Sequence, residues 1–398
     1  MANKNQKWVC IAVAFFLCFP SLNPAIGTIT RFLLGETTKI STYVIYIIYL
    51  FLMIYVSYKN IRRMSVGTLA ITLFLILSFA FSIVANSILP YMWTSFGDLT
   101  ANPLYLFLLY GFWGLILAQY IRDMEMLCLW LDKFSFVTVL LALVQYLLAL
   151  QNNTSPQYMV FSYNLLFPAG YLSLRCMTNY RFTRLVGMIV GAGLILIAGC
   201  RGALVCYLCS IFLFVLFSEG ISKTAKVALY FVMFVTIVFV TFFWNEMISG
   251  LINILNSIGI DSRTLTQLLN QTFFDDSGRS AIQKIVIANI GLLPKGLYFD
   301  RIVANGSYAH NLILELLLEY GYLLGGLIIV WLCFYMIRSV YIARKDLDAS
   351  VVLYTLIACG FLRLMFSGSY LLNEAGFWLL LGMMLNPYAL GTAKRTDG

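Results

Sequence analysis

Long apolar runs separated by short polar turns make up most of this chain, and their lengths decide its class. Stretches at 8–26, 41–57, 66–89, 103–121, 134–150, 159–174, 185–199, 202–218, 225–244, 312–337, 351–366 and 374–388 hold few charges. A helix needs about 20 apolar residues to cross the hydrocarbon core of a bilayer, so the pattern predicts an all-α, polytopic membrane protein of about twelve spans. One interval departs from it. Between 245 and 309 no long apolar run occurs, and a connection of that length implies a loop that folds or functions. It contains two candidate amphipathic helices, 247–258 and 280–290; in the second, Ile282, Ile285, Val286 and Asn289 recur at helical spacing. Ser277-Gly278 supplies a start for it, and Gly291 with Pro294 beyond supplies a stop. The chain therefore divides into about nine N-terminal spans (1–244), a large, partly helical outside loop (245–309) and about three C-terminal spans (310–398).

Composition narrows where chemistry could lie. Apolar residues make up 61% of the 398 and charged residues 11%, with a mean hydropathy of +0.88; soluble domains carry roughly 25% charge. No interval between spans could house a soluble catalytic domain, so a site must be built from loops and helix ends. The net charge of +9 reads as topology rather than as affinity for nucleic acid. Lys59, Arg62 and Arg63, then Arg122 and Lys133, Arg175, Arg181 and Arg184, Lys223 and Lys226, and Arg338, Arg344 and Lys345 fall in alternate loops. The short loops at 91–102 and 151–158 carry no lysine or arginine. By the positive-inside rule the basic loops and both termini are cytoplasmic, and 245–309 lies outside. The basic N-terminus (Lys4, Lys7) and its apolar run lack a small-residue cleavage pattern and read as a retained first span. The nine cysteines lie mostly inside apolar runs, without disulfide or metal spacing, and read as small core residues.

Few residues could carry chemistry. His310 is the one histidine, placed where an apolar run meets water. Its ordinary pKa near neutrality makes it the natural general base; a helix-capping role beside Asn311 is the plainer alternative. Arg201, in Gly199-Cys200-Arg201-Gly202, joins two spans with almost no loop. It is either a snorkelling anchor or an anion clamp, since flanking glycines let a phosphate reach backbone and guanidinium together. Arg279 follows Asp275-Asp276-Ser277-Gly278 and opens the second loop helix. A cation there opposes the helix dipole unless an anionic ligand is present; pairing with the aspartates is the alternative. Glu315 and Glu319 sit four apart within an apolar run, where charges are normally paired, and Arg363 in another span is their expected partner. Asp275-Asp276 has no histidine nearby to complete a metal cluster, and no nucleotide loop or serine elbow occurs. No metal or cofactor is expected, so energy comes from the substrate or from a gradient.

Taken in order, these pieces resemble the bacterial O-antigen polymerase and ligase superfamily. Cys200-Arg201-Gly202 after a mid-chain span precedes the long outside loop; Gly278-Arg279 lies some way ahead of Pro294-Lys295-Gly296; Ala309-His310-Asn311 then leads into Glu315 to Gly325. The resemblance covers 199–337. It implies a glycan donor linked through pyrophosphate to undecaprenol, at the periplasmic face of the bacterial inner membrane. Arg201 and Arg279 would hold the pyrophosphate, His310 would take the proton of the attacking hydroxyl, and Asn311, Arg301 and Lys284 would add substrate contacts. Two guanidiniums would replace a metal. Membrane lipid and a chain-length regulator protein are the other implied partners. The polymerase, which joins one lipid-linked repeat unit to another, is preferred because no further ligase-like mark occurs. The alternatives are the ligase, which moves the polymer to lipid A–core, and, in a different class, a polysaccharide lipid flippase. A carrier should show internal duplication, and none is visible.

Overall fold

Helices form where the apolar runs lie. The computed structural model describes residues 2–35, 40–86, 103–151, 158–221, 278–372, 374–386 and 388–390, with scattered positions between 222 and 257, and every regular element among them is helical. In order they are α1 (Ala2–Leu34), α2 (Ile40–Asn60), α3 (Val66–Asn86), α4 (103–118), α5 (Met124–Gln151), α6 (Tyr158–Thr178), α7 (Phe182–Ala198) and α8 (Arg201–Phe217). After the loop come α9 (Arg279–Asn289), the short α10 (Phe299–Val303), α11 (Leu312–Ala343), α12 (Leu347–Phe366) and α13 (Ala375–Leu385). Each span expected from the sequence falls on one of these, except 225–244, which lies largely outside the described residues. The second loop helix is α9; the 247–258 helix and Asp275-Asp276 also lie largely or wholly outside them.

Six helices are long and apolar enough to cross a membrane: Asn5–Leu34, Thr42–Arg63, Val66–Asn86, Met124–Gln151, Leu312–Ala343 and Leu347–Phe366. Phe107–Ala118, Phe182–Ala198, Arg201–Phe217 and Ala375–Leu385 are apolar but shorter. The long ones divide by burial. The apolar windows of α1 and α12 are 67% and 72% buried, whereas those of α2, α3 and α11 are 22%, 22% and 17%. The outer three present Ile47, Phe51, Leu73, Leu77, Leu327 and Phe334 to the surroundings. Apolar surface on that scale is tolerable only where the surroundings are themselves apolar.

Irregular backbone inside the bundle is satisfied locally. Pro24 lacks the N–H that would pair with the Pro20 carbonyl, and the Asn164 amide of α6 donates to that oxygen at 2.8 Å. A π turn at Phe107–Phe112 interrupts α4, and the Tyr49 hydroxyl donates to the Leu109 carbonyl at 2.6 Å. α11 breaks at Gly321 (φ 74°, ψ 171°). The 291–296 segment docks on that break: the Lys295 and Gly296 amides donate to the Glu319 carbonyl, and the Tyr322 amide to the Gly291 carbonyl, all at 2.9 Å.

Contacts sort the helix ends into two groups. Asn5 bonds to Asn60, Gln6 to Tyr120 and Arg122, Arg184 to Asp132, Arg175 to Asp348 and Arg344 to Glu219, gathering the basic loops at one end. At the other end lie the starts of α6, α8 and α11 and the finish of α12. His310, Arg201 and Arg279 all belong to this second group.

Candidate functional site

The site end begins at a helix junction. Gly199 takes a left-handed conformation (φ 86°) that terminates α7, and extended Cys200 turns the chain into α8. Arg201 is thereby the first residue of α8 and is partly exposed. Gly202 packs so closely on Tyr163 that a Cβ there would overlap the tyrosine hydroxyl, and the same Cβ would lie 3.7 Å from that of Phe366. Phe366 closes α12, and its carbonyl accepts the Arg279 Nη1 at 2.5 Å. The start of α8, the end of α12 and the start of α9 therefore meet at Phe366.

His310 lies across from Arg279. Asn311 caps α11, its carbonyl oxygen accepting the Ile313 and Leu314 amides at 3.0 and 3.2 Å, so that oxygen serves the helix rather than standing open to a ligand. His310 precedes the cap with φ 55°, and its ring lies 4.0 Å from that of Tyr308. Its Nδ1 is buried without a hydrogen-bond partner among the described residues. Burial first, and then the nearby Arg279 guanidinium, push the imidazole pKa down to about 4. The ring is therefore neutral at physiological pH, the form that can accept a proton. With one histidine in the chain, ¹⁵N-histidine labelling gives a single imidazole signal. That signal should titrate near pH 4 in the purified protein and move upward in Arg279→Gln. An unmoved midpoint in the variant would mean that Arg279 does not act on it.

A second polar group sits beneath. Asp300, Glu315 and Glu319 are fully buried, and one oxygen of each lies within 4.8 Å of the others. Asp300 accepts the Ala309 amide at 3.0 Å, the Arg301 amide at 2.9 Å and the Arg301 Nη1 at 3.3 Å. Burial raises its carboxyl pKa, and Arg301 opposes the rise. Glu319 accepts the Tyr298 amide at 2.7 Å and the Tyr370 hydroxyl at 2.5 Å, while Ser369 donates to Glu315. Among the described residues these three could hold a metal ion, although Arg301 already supplies positive charge there. Through Ala309 the group fixes the backbone next to His310.

The residues singled out in the sequence do not all share one place. Arg279 reaches Phe366, beside the start of α8 that Arg201 opens, and its charge acts on His310. Arg301 is 6% exposed and committed to Asp300, and Lys284 is exposed on α9. The expected pairing of Arg363 with Glu315 and Glu319 is corrected: Arg363 pairs with Glu374 at 3.1 Å and lies over the Tyr163 ring at 4.8 Å. It is one turn from Phe366 along α12. The sequence gives no mark of Tyr163, one tyrosine among 25.

Comparison with protein-family models, curated proteins and solved structures gave no match. The functional reading rests on the resemblance over 199–337 together with geometry and chemistry. Guanidiniums beside an exposed helix start favour an oxyanion, and a neutral imidazole facing one of them can take a proton as negative charge develops nearby.

Proposed function

We propose that the chain is a membrane glycosyltransferase that polymerises undecaprenyl-pyrophosphate-linked oligosaccharide repeat units into O-antigen or a similar surface polysaccharide. It would act at the periplasmic face of the bacterial inner membrane, with about twelve spans and both termini in the cytoplasm. The observation that carries the reading is Arg279, which ties the start of α9 to Phe366 beside Arg201 while acting on His310. The sugar–pyrophosphate bond already stores the driving force. As the glycosidic C–O bond breaks, its electron pair passes to the pyrophosphate oxygen, where Arg201 and Arg279 stabilise it. The acceptor hydroxyl oxygen bonds to the anomeric carbon, and its proton goes to the His310 imidazole. An apolar groove of about 660 Å³, lined by Phe74, Leu316, Tyr320, Leu324, Trp331 and Trp378, runs along α11 and suits an isoprenoid chain.

The test is the product pattern of a strain lacking the gene. Lipid A–core carrying a single repeat unit is the expected outcome, and polymer stranded on its lipid carrier would make the chain the ligase instead. Complementation with Arg279→Lys should restore little polymer, because a point charge lacks the planar fork. An unchanged product pattern on deletion would sink both readings and favour transport.

A further inference from the structure

A second apolar groove, of about 610 Å³, lies between α1, α2 and α5. Its walls include Trp8, Phe15, Ile48, Phe51, Tyr55 and Phe134, and every wall residue is aliphatic or aromatic. It extends along α1 from Trp8 to Phe15 and along α2 from Tyr55 back to Ile47, about 10–12 Å at 1.5 Å per residue. That is most of one leaflet of a hydrocarbon core about 30 Å thick. Ile48 and Phe51 are exposed, so no described element of the chain covers this trough.

The mouth of the groove is at the end where the basic loops gather. Trp8 and Tyr55 meet edge to face there at 6.1 Å, just inside the hydrogen bond between Asn5 and Asn60. Lys7 precedes Trp8 on α1, and Lys133 precedes Phe134 on α5. Both ammoniums rest on the Trp130 ring, 5.7 and 4.6 Å from its centroid. Lys59, one turn beyond Tyr55, adds an exposed cation at the same end, and α2 carries no acidic residue. Neither Lys7 nor Lys133 forms an ion pair with a described residue, and Asp132 beside them is held by Arg184 and Arg175. An indole face attracts an ammonium without neutralising it, so two like charges on one ring still repel. An anion between them removes that repulsion.

We propose that the groove holds one acyl chain of an anionic glycerophospholipid, whose headgroup phosphate is bound by Lys7 and Lys133 over Trp130. The order of features matches the two parts of such a molecule. A tail needs a trough without polar groups, and a phosphodiester needs cations at headgroup depth, where tryptophan is also at home. Lipids that only drift past feel the basic loops but fill no trough; this one is held at both ends. It supplies the wall that the chain lacks, joining the thinly packed α2, whose apolar window is 22% buried, to α1 and α5. The site stands apart from glycosyl transfer and requires only that these helices lie in a bilayer.

The test places the purified full-length protein in nanodiscs of dioleoylphosphatidylglycerol and dioleoylphosphatidylcholine in equal parts. Native mass spectrometry then counts the lipids that each chain retains. The wild type should keep one phosphatidylglycerol in preference to phosphatidylcholine. Lys7→Gln combined with Lys133→Gln should weaken that binding about 20-fold and abolish the preference. Ile48→Trp fills the trough while leaving the charges in place, and it should weaken binding as well. Melting temperatures in lipid-free detergent should not change, because all three side chains are exposed. Equal retention of the two lipids by the wild type, or an unaltered preference in the lysine variant, overturns the proposal. Full binding in Ile48→Trp overturns the groove and leaves charge attraction at the surface. Displacement of phosphatidylglycerol by a smaller amount of undecaprenyl phosphate would give the groove to an isoprenoid carrier and overturn the phospholipid as its occupant.

Discussion

His310→Asn should lower glycan transfer by about 10²–10⁴-fold, the usual worth of a positioned base, while leaving the protein folded. Asparagine is the informative replacement because it tolerates the left-handed backbone that His310 adopts, whereas alanine would add strain of its own. The fold should survive because the imidazole packs on one ring, that of Tyr308, and the cap of α11 belongs to Asn311. The pH profile supplies a second handle. The imidazole pKa is lowered to about 4, so a proton blocks the base only in acid. On the proposed reading, kcat/KM should hold from neutrality and fall as pH drops toward about 4, well below the ordinary histidine range. A bound pyrophosphate would offset the charge of Arg279, one of the two causes of the depression, so the acid limb of kcat should lie higher than that of kcat/KM. Full polymer from the His310→Asn protein would remove the base from the mechanism.

Gly321→Ala should destabilise the fold by several kcal/mol. The break in α11 holds backbone that essentially glycine alone adopts, and a Cβ there would stand 2.6 Å from the Leu292 carbonyl oxygen. Strain of about 1–3 kcal/mol combines with three docked backbone hydrogen bonds worth about 1 kcal/mol each, or roughly 4–6 kcal/mol together. Gly326, five residues on, is the control. A Cβ at that position meets nothing within 4 Å, so Gly326→Ala should be neutral or slightly stabilising. Thermal unfolding and limited proteolysis around 291–298 distinguish the two. Equal melting temperatures for both variants would mean that the docked segment contributes little.

Helix positions were legible because burial in an apolar medium demands long apolar runs, and the helices form where those runs lie. Irregularities within them were not. The π turns of α4 and of α12 (Ile357–Leu362) and the break of α11 depend on what packs alongside, and Gly321 looked like one glycine of several. Candidate residues were legible as chemical types. Arg201, Arg279 and His310 carry chemical types and boundary positions that stand out in an apolar chain. The partner of Arg363 was not, because charges inside spans pair through the packing of distant helices: Glu374 is eleven residues on, beyond a turn, while Glu315 and Glu319 find Ser369, Tyr370 and Tyr298. Arg301 looked like one more cation on an outside loop, and only the fold shows it committed to Asp300.

The interrupted helix has a bearing on how a large substrate could arrive. Gly321 lies about 15 Å along α11 from its cap, counting 1.5 Å per residue, and there the 291–296 backbone supplies the peptide groups that complete the helix. Were that segment to swing outward like a gate, bare amides and carbonyls on both sides would face hydrocarbon, at several kcal/mol apiece. It belongs to the frame instead. On the proposed reading, a lipid-borne glycan would therefore slide in sideways from the bilayer, and growth of the chain would proceed without that part of the protein opening and shutting at each cycle.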